Sequence, residues 1–154
     1  MIHRVGAVFI AATLLSTGCN GQTPEAKTAA ADYLVVAAQE PGAVQTGSGL
    51  VFRTLSPGTG TMPKPSDVVR VHYHGTLPGG QIFDSSVDRG EPAEFGLNQV
   101  IRCWTEGLQL MHVGEKAQLV CPAAIAYGDR GAGGVIPPGA TLIFEVELLG
   151  IKSR

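Results

Sequence analysis

Hydrophobic and polar positions follow a helical period in one long stretch of the second half of the chain, residues 99–111. The large apolar residues of this stretch recur at intervals of three and four positions, which places them on one face of an α-helix. They are Ile101, Trp104, Leu108 and Met111. Gly107 lies among them, and a glycine in a helix interior costs roughly 1 kcal/mol relative to Ala. The pattern therefore predicts one short helix whose stability depends on packing.

The segments on both sides of this helix alternate between apolar and polar residues, as strands with one buried face do. In residues 141–151, for example, every second residue from Leu142 to Leu148 is apolar. The remaining predicted strands are residues 49–56, 68–77, 81–84, 93–97 and 116–122. This order predicts an α+β fold, a curled antiparallel β-sheet (half-barrel) wrapped over one short α-helix, with Trp104 between them.

Residues 1–18 resemble an export signal. Their uncharged apolar run, residues 5–15, is shorter than the about 20 residues that a membrane-spanning helix needs. Small residues then lead to Cys19, as in the lipobox of bacterial lipoproteins, although Ser16 stands where that pattern prefers Leu. We therefore expect lipidation of Cys19 and a membrane anchor; an ordinary cleaved signal is the alternative. Asn20 after the Cys favours the periplasmic face of the outer membrane under Gram-negative sorting rules.

Residues 19–48 are expected to form a tether between this anchor and a domain of residues 49–152. Residues 26–40 are compatible with a helix. However, the large apolar residues in this helix are consecutive, at residues 33–36, and do not form one helical stripe. A dimerising arm is the alternative interpretation.

Composition and charge narrow the possible functions. Hydrophobic residues make up 44% of the chain and charged residues 16%, which supports a packed core. The net charge of −2 gives no electrostatic reason to expect nucleic acid as a partner. His72 and His74 stand two residues apart on a predicted strand, but no third ligand follows at a known metal-site spacing. Neither a metal nor another cofactor is expected, and no phosphate-binding loop or serine-nucleophile motif is present.

Aromatic residues from several strands, the helix and a loop are the remaining candidates for a functional site. They are Tyr73, Phe83, Phe95, Trp104, Tyr127 and Phe144. Core packing is the alternative, most of all for Phe95 and Phe144. Two features favour a pocket, because Asp84 follows Phe83 at a strand end and Tyr127 belongs to a Gly-rich loop. An apolar pocket with a few placed polar groups is the usual form of a ligand site.

Five motifs around these residues occur in a fixed order along the chain. They are VHYHG at 71–75, FDSS at 83–86, VIRCWTEG at 100–107, AYG at 126–128 and IPPGATLIFEVEL at 136–148. Together they resemble the FKBP family, most of all its exported bacterial members of the macrophage-infectivity-potentiator type. The resemblance covers about residues 49–152. It implies the family's curled sheet over a helix, in agreement with the pattern above.

The resemblance also implies a function. It is peptidyl-prolyl cis–trans isomerisation of proline-containing segments of exported proteins, in an aromatic pocket that rapamycin-class macrolides inhibit. A non-catalytic chaperone or partner-docking module at the membrane is the alternative.

By position, the resemblance makes Trp104 the floor beneath the proline ring and assigns the walls to the other rings. The wall residues are Tyr73, Phe83, Phe95 and Phe144. The main chain at Val100 and Ile101 meets the peptide, with Ile101 donating its N–H. The hydroxyl of Tyr127 donates to a substrate carbonyl, and Ile136 belongs to the substrate-binding set.

The polar part of the implied site is Asp84, near the carbonyl that precedes proline, with Arg89 holding Asp84 and Tyr73 in place. Two residues depart from the family pattern. Ala93 replaces an aromatic of many members, which lowers one wall, and Ala132 replaces a larger residue in the long loop. Both departures bear on affinity and sequence preference rather than on the reaction.

Cys103 lies on the predicted helix and Cys121 on the strand that follows it. Because exported proteins meet an oxidising compartment, the two can form a disulfide. Such a bond closes a loop of about 18 residues and stabilises the fold by about 3 kcal/mol in the chain-entropy treatment. Two buried free thiols are the alternative.

Overall fold

A computed structural model describes residues 24–152, without the side chains of residues 24–27. The predicted signal and Cys19 lie outside the described residues. Within the described part, no helix is both long enough and apolar enough to cross a bilayer.

The described residues form a seven-stranded antiparallel sheet in the order β1–β2–β6–β7–β3–β4, with β5 also paired to β3. The strands are β1 (Ala43–Gln45), β2 (Val51–Ser56), β3 (Val68–Thr76), β4 (Ile82–Ser85), β5 (Ala93–Gly96), β6 (Lys116–Cys121) and β7 (Leu142–Lys152). The helices are α1 (Pro24–Ala38), α2 (Ser86–Arg89) and α3 (Arg102–Leu108), and 3-10 turns occupy Ala123–Ile125 and Gly128–Arg130. The predicted curled antiparallel sheet over a short helix is confirmed.

Strand β3 has one partner strand along its first edge and two along its second. The first edge pairs with β7 over the whole strand, from Val68 opposite Lys152 to Thr76 opposite Ile143. On the other edge, residues 68–71 pair with β5 and residues 74–76 pair with β4. His72 and Tyr73 therefore lie in a gap between two partner strands.

The concave face of the sheet and α3 enclose the main core. Along β7, Leu142, Phe144, Val146 and Leu148 are buried, while the glutamates between them are exposed. This alternation agrees with the predicted face, because a strand directs successive side chains to opposite sides.

Helix α3 is shorter than the predicted residues 99–111. Beyond Leu108, N–H groups donate to carbonyls three residues earlier, as in a 3-10 helix. Leu110 N–H donates to the Gly107 carbonyl and Met111 N–H to the Leu108 carbonyl. Met111 is nevertheless fully buried. The spacing of apolar residues therefore predicts which side chains enter the core. It does not predict where the helix ends, because the spacing continues to Met111 and the helix ends at Leu108.

Helix α3 lies close to β6, and Gly107 permits this approach. A Cβ atom at Gly107 would stand 2.2 Å from Cδ2 and 3.0 Å from Cγ of Leu119 on β6. The same two elements are joined by a disulfide between Cys103 and Cys121, whose Cα atoms are 5.8 Å apart. The cost of a glycine in a short helix is thus offset by close helix–sheet packing.

The segment expected to be a tether differs from that expectation in its described part. Helix α1 packs on the outer face of the sheet, where Ala37 forms a small cluster with Val51, Val120 and Ile143. Strand β1 pairs with β2. The consecutive apolar residues 33–36 divide accordingly, since the first two pack against this cluster and Val35 and Val36 are exposed.

Candidate active site

A pocket of about 630 Å³ opens between α3, the sheet and the loop that follows β6. Trp104 lies beneath it and is only 4% exposed. The indole meets three other rings edge to face, at centroid distances of 5.2 Å to Tyr73, 5.4 Å to Phe95 and 5.3 Å to Phe144. Edge-to-face contacts of this kind stabilise an aromatic cluster beyond the burial of its area. The base of the pocket is therefore a packed cluster of four rings.

Phe83 forms a further wall, with its ring perpendicular to Phe144 at a centroid distance of 5.4 Å. It can take this place because residue 75 of β3 is glycine. A Cβ atom at Gly75 would stand 2.6 Å from Cζ of Phe83 and 3.2 Å from Cε1 of Phe144. The glycine of the VHYHG motif is therefore required by the packing of the pocket wall.

Tyr73, Asp84 and Arg89 form a hydrogen-bonded polar group at the side of the pocket. The Tyr73 hydroxyl donates to Oδ2 of Asp84, and Nη1 of Arg89 donates to Oδ1 of the same carboxylate. Nη2 of Arg89 also donates to the Tyr73 hydroxyl at 3.0 Å, and the guanidinium lies 5.7 Å from the Tyr73 ring centre.

The contacts of this polar group shift the pKa values of its members. Burial is the largest influence on Tyr73 and, with the hydrogen bond to Asp84, raises the pKa of its hydroxyl. Burial alone would also raise the pKa of Asp84, but the hydrogen bonds from Tyr73 and Arg89 outweigh it and lower that pKa. Asp84 is therefore a carboxylate at neutral pH and has no proton to donate.

Several hydrogen-bond donors at the pocket have no acceptor within the described structure, and they include the buried indole N–H of Trp104. The carbonyl of Ile101 accepts from the N–H groups of Trp104 and Thr105, at 3.0 and 3.1 Å, and so begins α3. The N–H of Ile101 has no acceptor among the described residues. The same holds for the hydroxyl of Tyr127, whose side chain is 41% exposed. Both residues line the pocket.

The loop after β6 closes the pocket on one side through a small turn. Ala132 N–H donates to the carbonyl of Ile136 at 3.0 Å, and the two residues form an isolated β-bridge. Gly131 precedes the bridge with φ of +65°, and a Cβ atom there would lie 2.1 Å from the Ile136 carbonyl oxygen. A glycine is therefore required at this corner.

The structure brings the sequence-predicted site residues together. Those that line the pocket are Tyr73, Phe83, Asp84, Phe95, Val100, Ile101, Trp104, Tyr127, Ile136 and Phe144. Arg89 contacts the pocket residues Asp84 and Tyr73. Ala93, by contrast, packs against the core at the edge of β5.

Sequence reasoning missed Gln99, Gly133 and Val135 as lining residues. Gln99 directly precedes Val100, so its position next to a predicted residue was a usable signal. The other two belong to the turn between Ala132 and Ile136, which no periodic pattern reveals.

The two histidines of β3 have hydroxyl partners. Nδ1 of His72 is 3.2 Å from Oγ of Ser86, and Nδ1 of His74 is 2.9 Å from Oγ of Ser85. Within the part of the chain that the structure describes, no group of three or more His, Cys, Asp or Glu residues is arranged to hold a metal ion.

A sequence model described as FKBP-type peptidyl-prolyl cis-trans isomerase matches residues 59–149. The chain belongs to this family. Among the relatives of this FKBP-type chain, the FKBP-type peptidyl-prolyl cis-trans isomerase FkpA of Aeromonas hydrophila is 54% identical over 121 residues, covering 79% of this chain and 45% of the relative. The outer membrane protein MIP of Legionella longbeachae is 43% identical over 133 residues, covering 86% of this chain and 57% of the relative.

Solved structures of FKBP-type isomerases have the same fold. A crystal structure of a peptidyl-prolyl cis-trans isomerase from Pseudomonas syringae pv. tomato superimposes with a TM-score of 0.80 at 38% identity, covering 88% of this chain and 100% of that one. The chain spans about half the length of the two curated relatives described above.

Proposed function

We propose that this FKBP-type domain catalyses cis–trans isomerisation of Xaa–Pro peptide bonds without a covalent step. The observation that carries the proposal is the ring-lined pocket over Trp104, which is open and has donors without acceptors, among them the Ile101 N–H and the Tyr127 hydroxyl. Its volume of about 630 Å³ falls within the range of about 300–1,000 Å³ typical of ligand pockets.

The mechanism follows from the chemistry of the amide. Rotation about the bond has a barrier of about 20 kcal/mol because the amide is conjugated. An apolar pocket disfavours the charge-separated resonance form of the planar amide more than it disfavours the twisted form, in which charge separation is smaller. Donors that bond better to the twisted amide then lower the barrier further.

In this proposal, Trp104 supports the pyrrolidine ring while Ile101 N–H and the Tyr127 hydroxyl donate to substrate carbonyls. Asp84 stays ionised and engaged with Tyr73 and Arg89, so it contributes charge and orientation rather than proton transfer. This division of roles explains how a pocket with a single charged lining side chain, within the described structure, can accelerate the reaction.

An isomerase assay on a proline-containing tetrapeptide, together with proline-limited refolding of a protein substrate, tests the proposal. We expect Tyr127→Phe and Asp84→Ala to lower kcat/KM by modest factors, and Trp104→Ala to impair both activity and stability. Tyr33→Phe is the matched control, because it removes a hydroxyl from a residue that packs on the outer face of the sheet. Unchanged rates in all three site variants would refute the assignment.

Binding of a rapamycin-class macrolide separates catalysis from simple binding. A protein that binds the macrolide in this pocket but does not accelerate either proline reaction would be a docking module rather than an isomerase. Family members in general bind proline-containing substrates and macrolides, and the ring set over Trp104 supports the same specificity here.

We also propose that the chain is exported and anchored to a membrane by lipid on Cys19, at the periplasmic face of the outer membrane. Its clients would then be proline-containing segments of exported proteins. The apolar run and small residues before Cys19 support this, as does the similarity to a relative named an outer membrane protein. Mass spectrometry of the mature N-terminus tests it, with Cys19→Ala as the control; an unmodified Cys19 in the mature protein would contradict it.

A further inference from the structure

The hydroxyl of Ser86 occupies the gap in the sheet beside Tyr73. Ser86 is fully buried, and its Oγ accepts a hydrogen bond from the main-chain N–H of Tyr73 at 2.8 Å. The same Oγ lies 3.4 Å from the Tyr73 carbonyl oxygen and 3.2 Å from Nδ1 of His72. The Ser86 side chain thus supplies the hydrogen-bond acceptor that a partner strand would otherwise supply, between the part of β3 paired with β5 and the part paired with β4.

We propose that Ser86 is a positioning residue that sets the place of Tyr73, and through it the polar group of Tyr73, Asp84 and Arg89. The proposal rests on the proposed isomerase function of this pocket. It assigns Ser86 no contact with the substrate.

The first step of the argument concerns the buried main chain. Tyr73 is only 5% exposed, and a buried N–H without an acceptor is costly. Neither β4 nor β5 reaches residue 73. The hydroxyl of Ser86 is therefore what keeps the main chain of Tyr73 bonded on this edge.

The second step concerns helix α2, of which Ser86 is the first residue and Arg89 the last. A helix of four residues is not stable by itself, so its attachments decide where it lies. The N–H of Asp88 donates to Oγ of Ser85 at 3.2 Å, and Gly90 ends the helix in the left-handed conformation. Ser86 adds the attachment to the neighbouring strand.

The third step joins the two. The segment from Asp84 to Arg89 holds Tyr73 twice, at its main chain through Ser86 and at its hydroxyl through Asp84 and Arg89. The Tyr73 ring also packs edge to face on Trp104. Loss of the main-chain attachment would let the pocket wall and the polar group shift relative to the floor.

The test compares Ser86→Ala with Thr141→Val, measuring kcat/KM and the Asp84 pKa by carboxyl carbon NMR. Thr141 is a matched control because its buried hydroxyl donates to a carbonyl, that of Ala30 at 3.2 Å, outside the pocket. We expect Ser86→Ala to lower kcat/KM about fivefold, since small misplacements of site groups reduce rates strongly. We also expect the depressed Asp84 pKa to rise toward its ordinary value in Ser86→Ala but not in Thr141→Val.

Wild-type kcat/KM together with an unchanged Asp84 pKa in Ser86→Ala would overturn the proposal, as would equal losses in both variants. Amide hydrogen exchange of the wild-type protein gives an independent test if Ser86→Ala does not fold. The Tyr73 amide should be strongly protected, and exchange at the rate of a solvated amide would overturn the proposal. A wild-type protein without isomerase activity would instead refute the proposed function, while the pKa and exchange measurements still test the role of Ser86.

Discussion

Replacing Gly107 by Ala should destabilise the protein, although Ala is the better helix former. In an unconstrained helix interior this change gains about 1 kcal/mol. Here the new Cβ would stand 2.2 Å from Cδ2 and 3.0 Å from Cγ of Leu119. Leu119 is fully buried, and overpacking of a filled core costs about 1–3 kcal/mol. The disulfide from Cys103 to Cys121 restrains α3 from moving away from β6, so we expect a net loss of up to about 2 kcal/mol relative to wild type.

Urea unfolding followed by the fluorescence of Trp104, the only tryptophan of the chain, measures this change. A second variant, Leu119→Val, removes the clashing Cδ atoms. The double variant Gly107→Ala/Leu119→Val should be more stable than the sum of the two single changes predicts, by about 1 kcal/mol, because the residues are in contact. The penalty of Gly107→Ala should also be smaller when the disulfide is reduced.

Two outcomes would refute this reasoning. One is a Gly107→Ala variant more stable than wild type, which would mean that helix propensity outweighs packing at this position. The other is strict additivity in the double variant, which would mean that Leu119 is not the residue that opposes the new methyl group.

Three further predictions concern the site and its support. The pKa of Asp84 is lowered in the folded state, despite the opposing effect of burial. Wild type should therefore be more stable than Asp84→Asn above about pH 4, and it should lose that advantage as pH falls through the folded-state pKa. Urea unfolding at pH 7 and pH 3 measures the difference in stability, and an equal advantage at both pH values would contradict the prediction. Gly75→Ala should displace the Phe83 ring and raise KM for a proline peptide severalfold; steady-state kinetics with an unchanged KM would count against the packing argument. Cys103→Ser/Cys121→Ser should lower stability by about 3 kcal/mol, and alkylation of both thiols in untreated native protein would show that the bond does not form in solution.

Local patterns in the sequence predicted much of the fold. The alternation along residues 141–151 fixed which side chains of β7 enter the core, because the two faces of a strand alternate whatever its neighbours are. The period of three and four around Trp104 likewise identified the face of α3 that is buried. Such signals depend on one segment at a time, so they survive without knowledge of the tertiary arrangement.

The pocket residues were predicted by a different route, from motifs whose order resembles one family. That route named the rings and the polar residues that meet at Trp104, but not the turn between Ala132 and Ile136. Nor did it distinguish Ser86 from Ser85, since the two are adjacent and chemically alike. Only the structure shows that the hydroxyl of Ser86 bonds to the main chain of Tyr73.

Close approaches between segments distant in sequence are visible only in the tertiary structure. In the sequence, Gly107 is an unfavourable residue in a short helix. The structure shows that Leu119 lies too close to this position for a larger residue. In the sequence, residues 33–36 are an irregular apolar run. The structure shows that the first two pack on the outer face of the sheet and the last two are exposed. The sequence determined the periodic faces and the set of chemical groups, because those are local properties of the chain. The distances between the faces depend on how the whole sheet curls, and no single segment contains that information.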